Sequence, residues 1–89
     1  MSYTVLLHPK AAEFLERCDE HLRLRVKNRL RELEREPEAK GKPIRHSPFR
    51  SLRIGNYRAI YMVDKEDRRV IVLFIGHRRD VYDDFSRMF

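Results

Sequence analysis

The chain has 89 residues, with 20 basic and 14 acidic side chains and a formal net charge of +6. This length predicts one domain, residues 1–89, and the basic balance favours polyanionic partners. No apolar run approaches the roughly 18 residues of a membrane span, and Cys18 is the only cysteine, so we expect a cytoplasmic protein with no membrane partner, no internal disulfide and no secretion leader.

The first part of the chain predicts a strand followed directly by helix. Ser2 to Leu7 is rich in β-forming residues, and Pro9 suits the first turn of a helix. Asp19 is a suitable N-cap that would divide the following stretch into two helices, and we predict a helical hairpin with one continuous helix as the alternative. Apolar residues recur there at intervals of three and four, which is typical of one buried helical face: Phe14, Leu15, Cys18, Leu22, Val26, Leu30 and Leu33.

The second part predicts a loop, three strands and a last helix. Four turn-forming residues indicate a loop of about a dozen residues: Pro37, Gly41, Pro43 and Pro48. Gly55-Asn56 between two β-type runs predicts a two-residue hairpin turn, and Asp64 to Asp67 predicts the next turn. Asp80 to Met88 predicts a short helix. The fold class is therefore α+β, with a helical hairpin on a mainly antiparallel sheet of three to four strands.

The middle of the chain is basic without compensating acids. From Ala39 to Val63 there are six basic residues and no acidic one: Lys40, Lys42, Arg45, Arg50, Arg53 and Arg58. Arginine next to a buried strand must be paired or solvated, and its planar guanidinium can bind a phosphate through two hydrogen bonds. We therefore predict that this segment binds phosphate groups.

Arg58 is the most informative of these arginines. At period two along a strand it shares a face with Ile60 and Met62, so it would project beside apolar neighbours. It could hold an anion there, or it could form an ion pair with an acid such as Asp80 or Asp83.

Two residues near the end of the chain could contribute further chemistry. His77 is of the residue type that titrates nearest to neutral pH, so it is a candidate acid or base; alternatively it is a strand-end histidine bonded to a carbonyl. Tyr82 could stack on an unpaired base, or it could be a core aromatic beside Val81 and Phe85.

The order of elements and the motifs L-R-I-G-N-Y-R-A-I-Y and G-H-R-R-D-V-Y resemble the RelE/ParE superfamily of toxin–antitoxin toxins across essentially the whole chain. Resemblance to its RelE branch implies a microbial RNase-like fold and a ribosome-dependent endoribonuclease that cuts mRNA. It also implies a cognate antitoxin of the RelB type, with the ribosome and mRNA as further partners, and the toxin and antitoxin in one hetero-oligomer.

The resemblance also suggests roles for individual residues. Arg58 matches the central catalytic arginine of the family, Arg78 the second, with Arg79 as the alternate, and Tyr82 the tyrosine that holds a substrate base. His77 lies near a histidine that some relatives use. The catalytic candidates are thus Arg58, Arg78, Tyr82 and His77, and the candidates for RNA or phosphate binding are Arg50, Arg53, Arg79, Lys42 and Arg45.

The chain departs from the RelE pattern on the strand before the glycine turn. Strongly active RelE toxins carry lysines there, whereas this chain offers Arg50 and Arg53. Arginine stays protonated and is a poor general base, which shifts weight to His77. No histidine pair has metal-ligand spacing, so no metal or other cofactor is expected. The alternatives are a ParE-like inhibitor of DNA gyrase that performs no chemistry and a plain RNA-binding module.

Overall fold

The computed structural model describes residues 2–89, which form a five-stranded sheet with helices on both faces. The elements in chain order are β1 (Thr4–Leu7), α1 (Pro9–Arg17), α2 (Glu20–Arg31), a 3-10 turn (Glu32–Glu34), α3 (Pro37–Lys40), β2 (Lys42–Pro43), β3 (Arg50–Ile54), β4 (Tyr57–Asp64), β5 (Arg69–His77) and α4 (Val81–Met88). This confirms the α+β class.

The sheet has the order β1-β5-β4-β3-β2, with β1 parallel to β5 and the other neighbours antiparallel. It has five strands where three to four were predicted, because Lys42–Pro43 pairs with β3. These two residues lie in the predicted loop from Pro37 to Pro48, which together with Phe49 we call the basic loop. The same loop contains the single turn of α3. The predicted antiparallel arrangement of β3, β4 and β5 is confirmed, and the N-terminal strand β1 joins the sheet by pairing with β5.

The helical hairpin is confirmed, and the alternative of one continuous helix is wrong. Asp19 caps α2, since its carboxylate accepts a hydrogen bond of 2.8 Å from the amide of Leu22. Arg23 then ties the two helices together: its Nε donates to the carbonyl of Leu15 at 2.7 Å and its Nη2 to that of Cys18 at 3.0 Å. These bonds satisfy carbonyls that the end of α1 leaves without intrahelical partners.

The sheet has a separate apolar core on each face. On the first face α1 and α2 cover residues that include Leu52, Ala59 and Tyr61. On the second face α4 packs on Ile60 and Phe74 through buried residues: Val81 and Phe85. Because successive residues of a strand point to opposite faces, each residue of β4 belongs to one core or the other. None of the helices within residues 2–89 has the length and apolar character needed to cross a bilayer.

The basic loop is held by a buried hydrogen bond. The hydroxyl of Tyr61, which is fully buried, donates to the carbonyl of Pro37 at the start of α3. Burial raises the pKa of Tyr61, because the phenolate would lose its hydration. The guanidinium of Arg50 lies beside it and donates to the carbonyls of Glu38 and Gly41. Side chains of β3 and β4 therefore hold the basic loop to the sheet, since backbone pairing between β2 and β3 extends over only two residue pairs.

Tyr61→Phe should destabilise the protein by about 1 to 2 kcal/mol, because the carbonyl of Pro37 loses its partner. In the wild type the unfolded chain would ionise its tyrosine before the folded one, so stability should fall as pH rises through and above the ordinary tyrosine pKa of 10.0. The variant should lose that part of the decline. Urea unfolding at neutral and alkaline pH measures both effects, and equal alkaline slopes would contradict the assignment.

Candidate functional site

Two arginines face each other at one end of the sheet. Arg53 on β3 lies directly opposite Arg58 on β4, so both side chains leave the sheet on the face that α4 covers. Like charges directly opposite each other on paired strands are destabilising. An anion held between the two guanidinium groups would remove that repulsion.

No acidic side chain neutralises the predicted cations. Within residues 2–89, no carboxylate lies within 4.0 Å of the charged nitrogens of Lys42, Arg45, Arg50, Arg53, Arg58, Arg78 or Arg79. The alternative in which Arg58 forms an ion pair with Asp80 or Asp83 is therefore wrong. Backbone carbonyls accept from Arg50, and the carbonyl of Gly55 accepts a hydrogen bond of 3.3 Å from Nε of Arg53, so neither of these charges is neutralised by an acid.

Ser51 connects Arg58 to α4. Its hydroxyl accepts a hydrogen bond of 3.3 Å from Nη1 of Arg58 and one of 3.2 Å from the hydroxyl of Tyr82. Lys42 on β2 is the direct strand partner of Ser51, so its exposed side chain leaves the sheet on the same face. The structure thus brings Lys42, Arg53, Arg58 and Tyr82 to one face, which we call the arginine face.

The ring of Tyr82 is available to a partner. Tyr82 is 42% exposed, whereas its neighbours Val81 and Phe85 are buried against the sheet, so the alternative of a core aromatic is wrong. The start of α4 packs directly on the end of β5, where Val81 lies over Gly76. Gly76 is also the strand partner of Arg58, which places Tyr82 next to the arginine face.

Arg78 and Arg79 follow the end of β5 in the turn to α4. The amide of Arg78 donates to the carbonyl of Asn56 at 2.8 Å, so both arginines lie at the same end of the sheet as the turn between β3 and β4. Both are exposed. Either can supply the second arginine that the resemblance implies.

His77 lies on the other face of the sheet. Its ring is 5.5 Å from that of Tyr57, which in turn is 5.6 Å from that of Phe14 on α1. Its Nδ1 accepts a hydrogen bond of 3.2 Å from the amide of Arg79, in place of the bond to a carbonyl that the alternative proposed. The acid or base role of His77 stays a prediction, and this placement does not favour it.

Arg50 and Arg45 do not join the arginine face. The guanidinium of Arg50 is occupied by backbone carbonyls on the α2 side of the sheet, one of them at 2.9 Å. Arg45 is exposed in the loop 44–49, which packs on α4 through a contact of 5.1 Å between the rings of Phe49 and Phe85. Arg45 can therefore extend the basic surface, while Arg50 holds the loop to β3.

Ser51 is the residue of this site that the sequence did not single out. A signal was present, because alternation along β3 places it on the same face as Arg53. A serine among the apolar and basic residues of β3 does not by itself indicate a functional role. Its importance depends on α4, which returns to it from 31 residues further along the chain. Within residues 2–89, no three His, Cys, Asp or Glu side chains are grouped so that they could hold a metal ion.

The fold and the arginine face define a small α+β protein with an exposed, uncompensated basic surface. A family model, described as the ParE toxin of the type II toxin–antitoxin system parDE, matches residues 5–82. The chain therefore belongs to this family, within the RelE/ParE superfamily, and is a toxin of a toxin–antitoxin system.

Individual relatives agree with this assignment. Toxin RelG of Mycobacterium tuberculosis is 42% identical over 53 residues, which are 57% of this chain and 61% of RelG, so the match spans less than two thirds of that relative. A chain of the toxin–antitoxin complex RelBE2 of M. tuberculosis superposes with a TM-score of 0.81 at 32% identity, over 88% of this chain and all of that chain. Free E. coli toxin RelE, in a doubly substituted form, gives 0.77 at 25% identity over the full length of both chains.

Inorganic phosphate should stabilise this protein by binding between Arg53 and Arg58. At ten times the dissociation constant the gain is about 1.4 kcal/mol, which raises the melting temperature by several degrees. Arg53→Gln or Arg58→Gln should remove most of this rise at constant ionic strength. Arg17→Gln, an exposed change on α1, is the matched control and should keep it. Equal rises in all four proteins would show that phosphate acts only as a general salt.

Proposed function

We propose that this toxin is a ribosome-dependent endoribonuclease that cleaves mRNA and thereby inhibits translation. The observation that carries the proposal is the pair of opposed arginines, Arg53 and Arg58, next to the exposed ring of Tyr82. This arrangement offers positive charge for a phosphate and an aromatic surface for an adjacent base. The similarity of this chain to Toxin RelG and to structures of RelE-type toxins also supports the proposal.

The proposed reaction needs no bound metal. The 2′-oxygen of a nucleotide attacks the neighbouring phosphorus, the bond from phosphorus to the 5′-oxygen breaks, and the products are a 2′,3′-cyclic phosphate and a 5′-hydroxyl. One proton leaves the attacking hydroxyl and one reaches the departing oxygen. The protein must hold the in-line geometry and stabilise the extra negative charge of the transition state.

Arg58 is the residue proposed to stabilise that charge. Its guanidinium is half-buried, has no carboxylate partner and is fixed by Ser51, so it is oriented before the substrate arrives. Such preorganised donors act most strongly where water is excluded. Arg78 or Arg79 supplies a second positive group from the turn after β5. Arg53, Lys42 and Arg45 would bind neighbouring phosphates of the RNA backbone.

Tyr82 is proposed to hold an unpaired base by stacking. Stacking tolerates any base because each has a flat aromatic surface, so the ring suits the unpaired bases of an mRNA. The ring lies on the first turn of α4, and its hydroxyl is bonded to Ser51. A base on this ring would bring its phosphate towards Arg58.

The arginine face lacks an obvious base for the attacking hydroxyl. Arginine stays protonated, and the ring of His77 lies on the far face with Tyr57. We propose that orientation of the mRNA on the ribosome supplies the remaining rate enhancement. This accounts for dependence on the ribosome: without it, free RNA would meet charge stabilisation alone.

The proposed partner that restrains the toxin is a RelB-like antitoxin, bound in a hetero-oligomer. Similar structures include the RelBE2 complex and an archaeal RelE–RelB complex from Pyrococcus horikoshii, which has a TM-score of 0.71 and 25% identity over 88% of this chain and 97% of that one. Exposed Leu6 and Leu7 on the edge strand β1 favour a protein partner, since exposed large apolar residues at a sheet edge tend to be covered. An acidic antitoxin segment would also neutralise the arginine face.

Inhibition of DNA gyrase is the second candidate function. The observation that favours it is that the matching family model is named for the ParE toxin. Inhibition of gyrase requires only a protein-binding surface, so it gives no role to the position of Tyr82 beside arginines that lack acidic partners. Assays of mRNA cleavage and of DNA supercoiling separate the two functions.

Arg58→Ala should lower the rate of mRNA cleavage on programmed ribosomes by about 10² to 10³-fold, because it removes one oriented stabiliser of transition-state charge. Folding should change little, since the side chain has no ion-pair partner to abandon. Cleavage is followed by mapping of mRNA ends, with urea unfolding measured in parallel.

Arg17→Ala is the matched control and should cleave like the wild type. A wild-type toxin that leaves mRNA intact but stops supercoiling by DNA gyrase would replace this proposal with the second candidate. An unfolded Arg58→Ala protein would show instead that the arginine is needed for the fold.

Substitutions of Tyr82 should separate stacking from chemistry of the hydroxyl. Tyr82→Ala should lose about 1 to 3 kcal/mol, roughly 5- to 150-fold in cleavage, because no ring remains to hold the base. Tyr82→Phe should retain more activity than Tyr82→Ala. The opposite order would indicate proton transfer by the phenol. His77→Gln, measured against pH in the same assay, tests the remaining acid or base prediction: a lost inflection would restore His77 to the mechanism.

A further inference from the structure

Ser51 is a polar residue at a buried position of β3. It is 4% exposed and lies between two strand neighbours, Ile60 on β4 and Lys42 on β2. Buried polar groups are retained where they have hydrogen-bond partners. The partners of Ser51 come from two other elements of the chain, and both are residues of the proposed site.

The hydroxyl of Ser51 binds both groups at once. Nη1 of Arg58 and the hydroxyl of Tyr82 lie 3.3 Å and 3.2 Å from the same oxygen. A serine oxygen has two lone pairs, so it can accept both bonds, and its own hydrogen stays free to rotate to another acceptor. One atom therefore sets the separation between the guanidinium proposed to hold a phosphate and the ring proposed to hold a base.

These bonds order the site more than they stabilise the fold. Tyr82 is 42% exposed and Arg58 is half-buried, so water can solvate both polar groups if Ser51 is removed. The side chains would then be free to adopt other rotamers. Loss of orientation affects a reaction that needs in-line geometry far more than it affects unfolding.

We infer that Ser51 is a positioning residue for the cleavage reaction, acting through Arg58 and Tyr82 without touching the RNA. The inference rests on the proposed function. β3 then does more than bind phosphate, because its Ser51 orients both the guanidinium of Arg58 on β4 and the ring of Tyr82 on α4.

The test compares Ser51→Ala and Ser51→Thr on programmed ribosomes. Ser51→Ala should lower kcat by about 10- to 100-fold with a smaller change in KM, and its urea midpoint should stay near that of the wild type. Ser51→Thr keeps the hydroxyl on a side chain that suits a strand and should restore most of the rate. Ser86→Ala, an exposed serine of α4, is the matched control and should be unaffected.

Coupling to Tyr82 provides the second measurement. In a Tyr82→Phe background one of the two bonds is already absent, so Ser51→Ala should cost a smaller factor than it does in the wild type. An equal factor in both backgrounds would overturn the link to Tyr82. Equal cleavage by Ser51→Ala and the wild type, or a lowered urea midpoint that Ser51→Thr fails to restore, would overturn the positioning role altogether.

The inference can fail separately from the proposed function. A wild type that never cleaves mRNA disproves the function, and the phosphate-dependent rise in melting temperature then decides the role of Ser51. If Ser51 orients Arg58, Ser51→Ala should weaken the rise while Ser51→Thr and Ser86→Ala retain it. An unchanged rise in Ser51→Ala would leave Ser51 with no positioning role.

Discussion

The pairing of β4 between β3 and β5 is the constraint on which the site depends. Each residue of β4 must point to one of two apolar cores, and Ala59 and Tyr61 face α1 and α2 while Ile60 faces α4. Arg58 is thereby committed to the α4 face, directly opposite Arg53. A shift of one residue in this register would turn Arg58 towards the α1 and α2 core and Tyr61 towards the α4 core, so the side chains that fill the two cores also fix the face on which Arg58 lies.

The cost of this arrangement is a concentration of positive charge. Two arginines that face each other without an acid repel, and the chain accepts that repulsion on a small domain whose core offers limited stability. An anion bound between the two guanidinium groups would relieve this repulsion. This links the toxin to both kinds of proposed partner, since RNA phosphates and an acidic antitoxin segment would satisfy the same cations.

α4 completes the site and is held by contacts with β5, the basic loop and β3. Val81 and Phe85 pack on β5, Phe85 contacts Phe49 of the basic loop, and Tyr82 reaches β3 through Ser51. An eight-residue helix is not stable by its own hydrogen bonds, so its position depends on these contacts. The distance between the ring of Tyr82 and the arginines therefore depends on how α4, at the end of the chain, packs on β3, β5 and the basic loop.

The sequence by itself determined most of the elements, though not α3 or β2, and the basic character of the candidate site. The spacing of Leu22, Val26 and Leu30 predicted α2, Asp19 predicted the break before it, and the cations without neighbouring acids predicted a basic surface, because local periodicity, capping and charge are written in adjacent residues. Only the tertiary structure decided which predicted residues share a face. It separated His77 from Arg58, occupied Arg50 with carbonyls, and added Ser51, because these outcomes depend on strand register and on a helix that returns from far along the chain.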